Sequence, residues 1–261
     1  MRAEIGIIGG TGFYDPQLVK NGREVKLDTP YGLPSDLINV GEINGRKVAF
    51  LPRHGKKHTI RPTDVNFRAN VYALKKLGVQ QILAPSTVGS LREECKPGDI
   101  VFVDQFIDRT TRREQSFYTG PKVCHISVAD PMCPELRKIL IEIAEKMNIS
   151  YHKTGTYICI EGPRFSTKAE SKMFKRWGAD VVGMTLVPEC VLAREAEICY
   201  ASIATVTDYD VWKDRPVNAG EVARVMKGNI EKVKSLVVET TTRIPRERTC
   251  ECKDALKNAA A

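Results

Sequence analysis

The chain has 261 residues, 42% of them apolar, which is enough for one large domain with a buried core. It contains no run of about 18 apolar residues, and its opening MRAEIG begins a strand instead of a signal peptide, so we expect a cytoplasmic protein that does not bind a membrane. The net charge of +8 comes from 40 basic residues interspersed with 32 acidic ones, and only 7% of the residues are aromatic, so we expect no nucleic-acid partner.

Strand-like and helical patterns alternate along the chain, which is typical of an α/β fold. The predicted strands are, in chain order, EIGIIG, KVAFLP, QQILAP, DIVFVDQ, GTYICI, DVVGMT and CYASIATVT. The predicted helices are NFRANVYALKKLG, PELRKILIEIAEKMN, TKAESKMFKRWG and NAGEVARVMKGNIEKVKSLVVETT, with capping boxes at Thr167 and Glu170 and at Asn218 and Glu221. We expect a single α/β domain over residues 1–245, with a central mixed β-sheet flanked by helices, and a C-terminal tail over residues 246–261.

The first predicted strand runs into a glycine-rich segment, IGIIGGTGFYD, of the kind that holds anions. A dinucleotide fingerprint needs G-x-G-x-x-G before a helix, but Asp15 replaces the third glycine and Pro16 follows it. The triphosphate loop G-x-x-x-x-G-K-[ST] is absent as well. The pattern indicates a tight turn that offers backbone N–H groups and the Thr11 hydroxyl to an anion, and a purely structural turn fits it equally well.

Further strand ends carry cationic or hydroxyl side chains. FLPRHGKKH ends a strand at Arg53 and His54, where the arginine offers bidentate donors suited to phosphate and the histidine adds another donor. APSTVGSL contributes Ser86 and Thr87, and VVGMTLVPE contributes Thr185. Because strand ends meet at one edge of an open α/β sheet, we expect these groups to converge on one ligand.

Longer motifs give the chain a specific resemblance to the trimeric purine nucleoside phosphorylase family, and within it to the archaeal enzymes that act on 5′-methylthioadenosine. The motifs are IGIIGGTG, TPYGLPSD, RHGKKHTI, VGSLREE, CIEGPRFSTKAES, GMTLVPE and TVTDYDVW, in the family's order over about residues 4 to 240. The resemblance implies the family's fold and a pentosyltransferase activity that splits purine nucleosides. It also implies inorganic phosphate as co-substrate, no metal or organic cofactor, and assembly into a homotrimer or a pair of trimers.

The resemblance also assigns roles to individual residues. It places phosphate against Thr11, Arg53, His54, Ser86, Thr87 and Thr185. It places the nucleoside against Phe165, Ser166, Met184, Asp208, Asp210, His58, Ala219 and Val222, with His125 entering the 5′ pocket of an adjacent subunit. Asp208 is the expected catalytic residue, because a carboxyl at purine nitrogen-7 can share a proton as charge builds on the departing base. Gly183 stands where the animal enzymes carry asparagine, and we expect it to leave room near the ribose or base.

Asp210 is expected to set the preference for the base. If the chain is extended after the last strand, the spacing of two lets Asp208 and Asp210 face the same base edge. An ionised Asp210 accepts a hydrogen bond from a 6-amino group and offers none to a 6-oxo group. We therefore expect phosphorolysis of 5′-methylthioadenosine to adenine and 5-methylthioribose 1-phosphate. The open alternative is a broad or 6-oxopurine nucleoside phosphorylase that accepts inosine, guanosine or adenosine.

The eight cysteines include no CxxC pair and are not accompanied by clustered histidines, so their spacing disfavours a zinc site. We expect most of them to be buried thiols. Cys250 and Cys252 are close enough in sequence to form a labile disulfide that ties down the tail. The resemblance to hyperthermophilic relatives implies a second pairing, of Cys133 with Cys199.

Overall fold

The computed structural model describes residues 1–10, 13, 18–213, 219–257 and 259. Within these residues, eleven strands form one sheet, and helices cover both of its faces. The strands are β1 (Ile5–Gly9), β2 (Lys20–Val25), β3 (Ile38–Ile43), β4 (Arg46–Pro52), β5 (Gln81–Ser90), β6 (Ile100–Val101), β7 (Gln105–Arg109), β8 (Tyr151–His152), β9 (Thr156–Ile160), β10 (Val181–Gly183) and β11 (Cys199–Asp208). The α-helices are α1 (Phe67–Lys76), α2 (Pro134–Lys146), α3 (Lys168–Arg176), α4 (Leu186–Glu195) and α5 (Ala219–Arg243).

The centre of the sheet is parallel. β1 lies between β4 and β5 and is parallel to both, and β11 runs parallel to β5 from Cys199 opposite Gln81 to Asp208 opposite Gly89. Every residue of β1 is buried, as expected for a parallel strand covered on both faces, and this explains its unbroken apolar sequence. The carboxyl ends of these four strands therefore meet at one edge of the sheet.

Antiparallel pairs at other positions make the sheet mixed. One path of neighbouring strands is β2-β3-β4-β1-β5-β10-β9-β7, in which β3 is antiparallel to β2 and β4, and β10 is antiparallel to β5. Off this path, β11 also pairs with β6, and β6 with β8. The structure confirms the predicted α/β fold with a central mixed sheet flanked by helices.

Two large apolar layers hold four of the helices against the sheet, and a smaller cluster that contains Phe174 holds α3. α1 and α4 pack with one layer, and α2 and α5 pack with the other. Alternate residues of β11 belong to different layers, since Tyr200 and Ala204 face the first while Ala201 and Ile203 face the second. This two-sided burial is what the alternating strand and helix patterns predict.

The predicted helices are present, and one further helix was missed. Thr167 and Glu170 form the predicted capping box at the start of α3, whereas Asn218, the predicted cap of α5, lies outside the described residues. α4 was missed because nine of its ten residues are buried, so its sequence lacks the apolar and polar periodicity of a surface helix. β2 was missed for the opposite reason, since its residues are almost all exposed and polar.

The tail after residue 245 packs against the rest of the chain. The Arg248 side chain donates to the Glu197 carbonyl oxygen at 2.6 Å, and both Cys250 and Cys252 are buried. All eight cysteines are free thiols in the structure, so the two disulfides stay predictions. Within the described residues, no helix combines the length and apolar character that crossing a membrane requires.

Candidate active site

A cavity of about 280 Å³ lies at the edge of the sheet where β1, β4, β5 and β11 end. Its position and its mixture of apolar and polar walls are typical of a small-molecule site in an open α/β fold. It is lined by the following residues predicted from the sequence: Arg53, His54, His58, Ser86, Thr87, Phe165, Ser166, Met184, Thr185, Asp208, Asp210 and Val222. The fold thus brings together the residues to which the sequence assigned phosphate and nucleoside.

Three predicted residues are not placed at the cavity. Thr11 lies outside the described residues. Ala219 begins α5, and its side chain is likewise outside the described part, although Val222 of the same helix does line the cavity. His125 is exposed, and its backbone N–H donates to the Ala259 carbonyl oxygen at 2.7 Å.

Arg53 is a buried cation whose donors are mostly taken. It follows β4 and is 1% exposed, and its Nε and Nη2 donate to the two carboxylate oxygens of Glu189 at 2.6 and 2.7 Å. Nη2 also donates to the Ile8 carbonyl oxygen at 3.3 Å, and Nη1 donates to the Pro85 carbonyl oxygen at 3.2 Å. A guanidinium has five N–H groups, so these four bonds leave one on Nη1 for a ligand.

This arrangement corrects the expectation that Arg53 grips phosphate with a bidentate fork. The fork holds Glu189, which is fully buried and also accepts from the Tyr200 hydroxyl at 2.8 Å. Burial disfavours the charged guanidinium, but attraction to Glu189 outweighs it and raises the pKa of Arg53 above its usual value. A Cβ on Gly10 would lie 3.1 Å from Arg53 Nη1, so a side chain at this position would crowd the cation.

Glu189 was not predicted as a site residue, although the sequence contains an indication of its role. Glu189 is an acid within the apolar run TLVPECVLA, and a buried carboxylate needs a partner.

His54 is neutral and presents an acceptor. Its Nδ1 lies 2.9 Å from the Ile60 carbonyl oxygen and therefore carries a proton that it donates. Burial, followed by the charge of Arg53, lowers the pKa of His54 to about 4. At neutral pH its Nε2 therefore has a lone pair, which corrects the expectation of a further donor and suits the hydroxyl group of monohydrogen phosphate.

Hydroxyl groups complete the polar end of the cavity. Ser86 and Thr87 lie within β5, which continues to Ser90 instead of ending at Pro85 as predicted. Thr185 is the N-cap residue of α4, 7% exposed, and its side chain makes no capping hydrogen bond. These hydroxyls can donate to an anion beside Arg53.

Asp208 and Asp210 line the cavity together, but not on an extended chain. β11 ends at Asp208, and Asp210 sits in a left-handed turn with φ of 49° and donates its backbone N–H to Asp208 Oδ1 at 2.8 Å. The Thr207 hydroxyl lies 2.8 Å from Asp208 Oδ2 and donates to it. A Cβ on Gly89 would lie 2.9 Å from Asp208 Oδ1, so the glycine of β5 makes room for this carboxyl. The predicted convergence of the two aspartates is present, and the turn produces it.

Asp210 has an unused acceptor. It is 5% exposed, and among the described residues its Oδ2 has no hydrogen-bond partner. Burial raises the pKa of Asp210 above its usual value. The Ser166 hydroxyl is also buried without a hydrogen-bond partner among the described residues. Leaving such groups unpaired is costly, so a polar ligand that reached them would gain binding energy.

Gly183 does not leave the room that the sequence analysis expected. A Cβ at this position would lie 1.9 Å from the hydroxyl oxygen of Tyr157, which fills the space. The same hydroxyl accepts a hydrogen bond from the Thr185 backbone N–H at 3.4 Å. Tyr157 is fully buried, so the glycine allows it to brace the segment that carries Met184 and Thr185.

Arg113 is a further arginine with a buried side chain, 1% exposed, and it was not predicted as a site residue. Its guanidinium donates to the carbonyl oxygens of Met184 and Val187 at 2.7 and 2.6 Å and to that of Glu161 at 2.6 Å. It therefore ties the segment after β9 to the segment after β10, which are two walls of the cavity. Its position in the basic cluster RTTRR gave no indication of burial.

An exposed aromatic ring lies at the mouth of the cavity. Phe165 is 42% exposed, although it also lines the cavity. Solvent-exposed rings at a cavity are suited to stacking against a flat base.

Comparison with known proteins agrees with this architecture. A family model described as the phosphorylase superfamily matches residues 4–242. The chain belongs to the phosphorylase superfamily. The match covers nearly all of the proposed domain of residues 1–245 and ends before the tail.

Relatives within the superfamily share much of the sequence. S-methyl-5'-thioadenosine phosphorylase of Thermofilum pendens is 58% identical over 258 residues, covering 99% of this chain and 98% of that protein. The protein of the same name from Nitrosopumilus maritimus is 57% identical over 256 residues, covering 98% and 97%.

Solved structures of superfamily members are similar too. Methylthioadenosine phosphorylase from Schistosoma mansoni in complex with adenine has a TM-score of 0.91 at 40% identity, covering 98% of this chain and 96% of that chain. Methylthioadenosine phosphorylase from an antarctic soil metagenomic library has a TM-score of 0.94 at 45% identity, covering 100% and 93%.

Proposed function

We propose that this chain cleaves the C–N glycosidic bond of 5′-methylthioadenosine with inorganic phosphate. The products are adenine and 5-methylthioribose 1-phosphate, and the reaction requires no metal or organic cofactor. The observation that carries the proposal is the composition of one cavity, with a buried arginine and hydroxyls at its polar end and two aspartates beside an exposed aromatic ring. Relatives at 58% and 57% identity that carry the name of this activity support the substrate.

Phosphate is the nucleophile in this proposal. The free N–H of Arg53 and the hydroxyls of Ser86, Thr87 and Thr185 hold its oxygens, with Thr11 as a further expected contact. The lone pair on His54 Nε2 accepts a hydrogen bond from the hydroxyl group of monohydrogen phosphate, which leaves the anionic oxygens for attack. Placing this anion beneath the anomeric carbon also stabilises the positive charge that develops on the sugar.

Asp208 acts on the departing base. As a phosphate oxygen bonds to the anomeric carbon, the C–N bond breaks and its electron pair goes to the purine. A carboxyl at purine nitrogen-7 supplies the proton that neutralises this charge. The bonds from Thr207 and from the Asp210 backbone fix the orientation of Asp208.

The base and the 5′ group are recognised at opposite ends of the cavity. The unpartnered Oδ2 of Asp210 accepts a hydrogen bond from the 6-amino group of adenine, while Phe165 stacks on the ring. Met184 packs against the ribose. Val222, with Ala219 and His58 as further expected contacts, gives a mostly apolar environment that suits a methylthio group better than a hydroxyl.

The proposal includes assembly into a homotrimer or a pair of trimers. His125 is exposed and does not line the cavity of its own chain, as required of a residue that completes the 5′ pocket of a neighbouring subunit. Light scattering tests this directly, because an active monomer near 29.1 kDa would rule out the shared site.

Release of adenine from 5′-methylthioadenosine, measured with and without phosphate, tests the function. We expect release that requires phosphate. Release without phosphate would instead indicate a hydrolase, and no release in either condition would refute the proposed function. Parallel kcat/KM measurements with adenosine and inosine decide between the proposed enzyme and a 6-oxopurine nucleoside phosphorylase, for which inosine would be the best substrate.

A further inference from the structure

Four cysteines from three distant segments meet in the core, away from the cavity. Cys133 precedes α2, Cys199 begins β11, and Cys250 and Cys252 lie in the tail. Their sulfur atoms all lie within 4.8 Å of one another. All four residues are buried, the most exposed at 8%, so the cluster is closed to solvent.

We propose that, in place of the Cys250–Cys252 and Cys133–Cys199 disulfides expected from the sequence, these four cysteines bind one Zn²⁺ ion in a closed, structural, tetrahedral site. The spacing of the cysteines in the sequence did not indicate a zinc site, because Cys133 before α2 and Cys199 at the start of β11 are far in sequence from the C-x-C pair. None of the four cysteines lines the cavity, and the proposed reaction does not use them.

The separations between the sulfurs suit a metal ion. A Zn–S distance of about 2.3 Å in a tetrahedron places the sulfurs about 3.8 Å apart. Cys250 Sγ lies 3.7 Å from Cys133 Sγ and 3.3 Å from Cys199 Sγ. Only small side-chain adjustments would give four equal distances around one ion.

The charges around the cluster favour thiolates. Arg194 Nη1 lies 3.5 Å from Cys252 Sγ and donates to it. Cys133 caps the N-terminus of α2, where the helix dipole stabilises negative charge. A disulfide at Cys252 would leave the Arg194 guanidinium facing an uncharged sulfur.

Binding of Zn²⁺ releases the protons of the cysteine thiols. Four thiols lose four protons to solvent as Zn²⁺ binds, so the site carries two negative charges, one of which Arg194 offsets. A site with four protein ligands and no open position is typical of structural zinc. The ion would hold the tail against the start of β11 and the start of α2.

Metal analysis of the unmodified protein is the first test. The protein is purified with a reducing phosphine and without chelator, and zinc and iron are measured by mass spectrometry. We expect one zinc per chain. Iron in its place would overturn the choice of ion. Protein without metal would overturn the site. Thiol counting after denaturation would then show whether the cysteines are eight free thiols or are partly joined in disulfides, and both results contradict the site.

Matched cysteine variants locate the ion. Cys252→Ser should lose the zinc, whereas Cys95→Ser, which alters a buried thiol outside the cluster, should keep it. Equal zinc in both variants would refute the assignment. If Cys252→Ser does not fold, the unmodified protein is treated with a chelator and then with Co²⁺ alone. The intense visible absorption of tetrahedral cobalt thiolate is expected, and its absence would contradict the site.

Discussion

Replacing Arg53 with methionine tests two roles of this residue at once. The change removes the charge while keeping much of the side-chain volume, so among the described residues Glu189 keeps only the Tyr200 hydroxyl as a partner. Breaking a buried ion pair in this way costs about 3 to 5 kcal/mol. At about 2 to 4 °C per kcal/mol for a chain of this size, the melting temperature should fall by about 6 to 20 °C.

The same change should weaken the use of phosphate. One charge-assisted contact in a closed site contributes about 2 to 4 kcal/mol to transition-state stabilisation, so kcat/KM for phosphate should fall about 30- to 900-fold. The KM for the nucleoside should change much less, because Arg53 lies at the polar end of the cavity.

A double variant separates the two effects. Adding Glu189→Gln to Arg53→Met removes the stranded charge and keeps an oxygen that accepts from Tyr200, so a large part of the lost stability should return while the phosphate defect remains. The control is Arg164→Met, which breaks a bidentate pair with Glu170 on a side chain that is 67% exposed and should leave the melting temperature within experimental scatter. Thermal melts and steady-state kinetics give both readouts. An Arg53→Met protein with wild-type melting temperature, or a double variant that regains normal phosphate kinetics, would refute the reasoning.

Three further changes probe other parts of the cavity. Asp210→Asn adds a donor at the base edge. It should shift the ratio of kcat/KM values for inosine and 5′-methylthioadenosine toward inosine by one to two orders of magnitude, about 1 to 3 kcal/mol. An unchanged ratio would contradict the role of this carboxylate. Gly183→Ala places a Cβ 1.9 Å from the Tyr157 hydroxyl and should lower the free energy of unfolding by about 1 to 3 kcal/mol. Thermal melts measure this loss, and the double variant Gly183→Ala/Tyr157→Phe should recover part of it. A wild-type melting temperature for Gly183→Ala would show that the space is open. His54 has a pKa of about 4 when folded, below its unfolded value near 6.5, so the unfolded state binds more protons between these values and stability should fall as pH drops from 6.5 toward 4. His54→Asn should reduce this slope, and an equal slope in both proteins would contradict a buried neutral imidazole.

The sequence predicted the central strands of the sheet, and the edge at which their site residues meet, because local patterns determine both. Strand ends with cationic or hydroxyl residues are visible in one dimension, and the parallel arrangement of β1, β4, β5 and β11 places them at one edge. Which hydrogen bonds these residues already make is decided by long-range contacts. The carboxylate of Glu189, 136 positions from Arg53, could not be assigned to it from spacing alone.

The same limit applies to Gly183 and to the cysteines. A glycine in a strand indicates missing volume, but only the fold shows that Tyr157 occupies it. The gathering of Cys133, Cys199, Cys250 and Cys252 likewise depends on how α2, β11 and the tail pack together.

The most direct test of the proposed activity is to identify the sugar product. The protein is incubated with 5′-methylthioadenosine and inorganic phosphate, and phosphorus NMR follows the phosphate signal while chromatography follows adenine. The account predicts that a sugar 1-phosphate appears in equal amount to adenine, and that neither forms when phosphate is left out. Adenine accompanied by free 5-methylthioribose, with the phosphate signal unchanged, would contradict it.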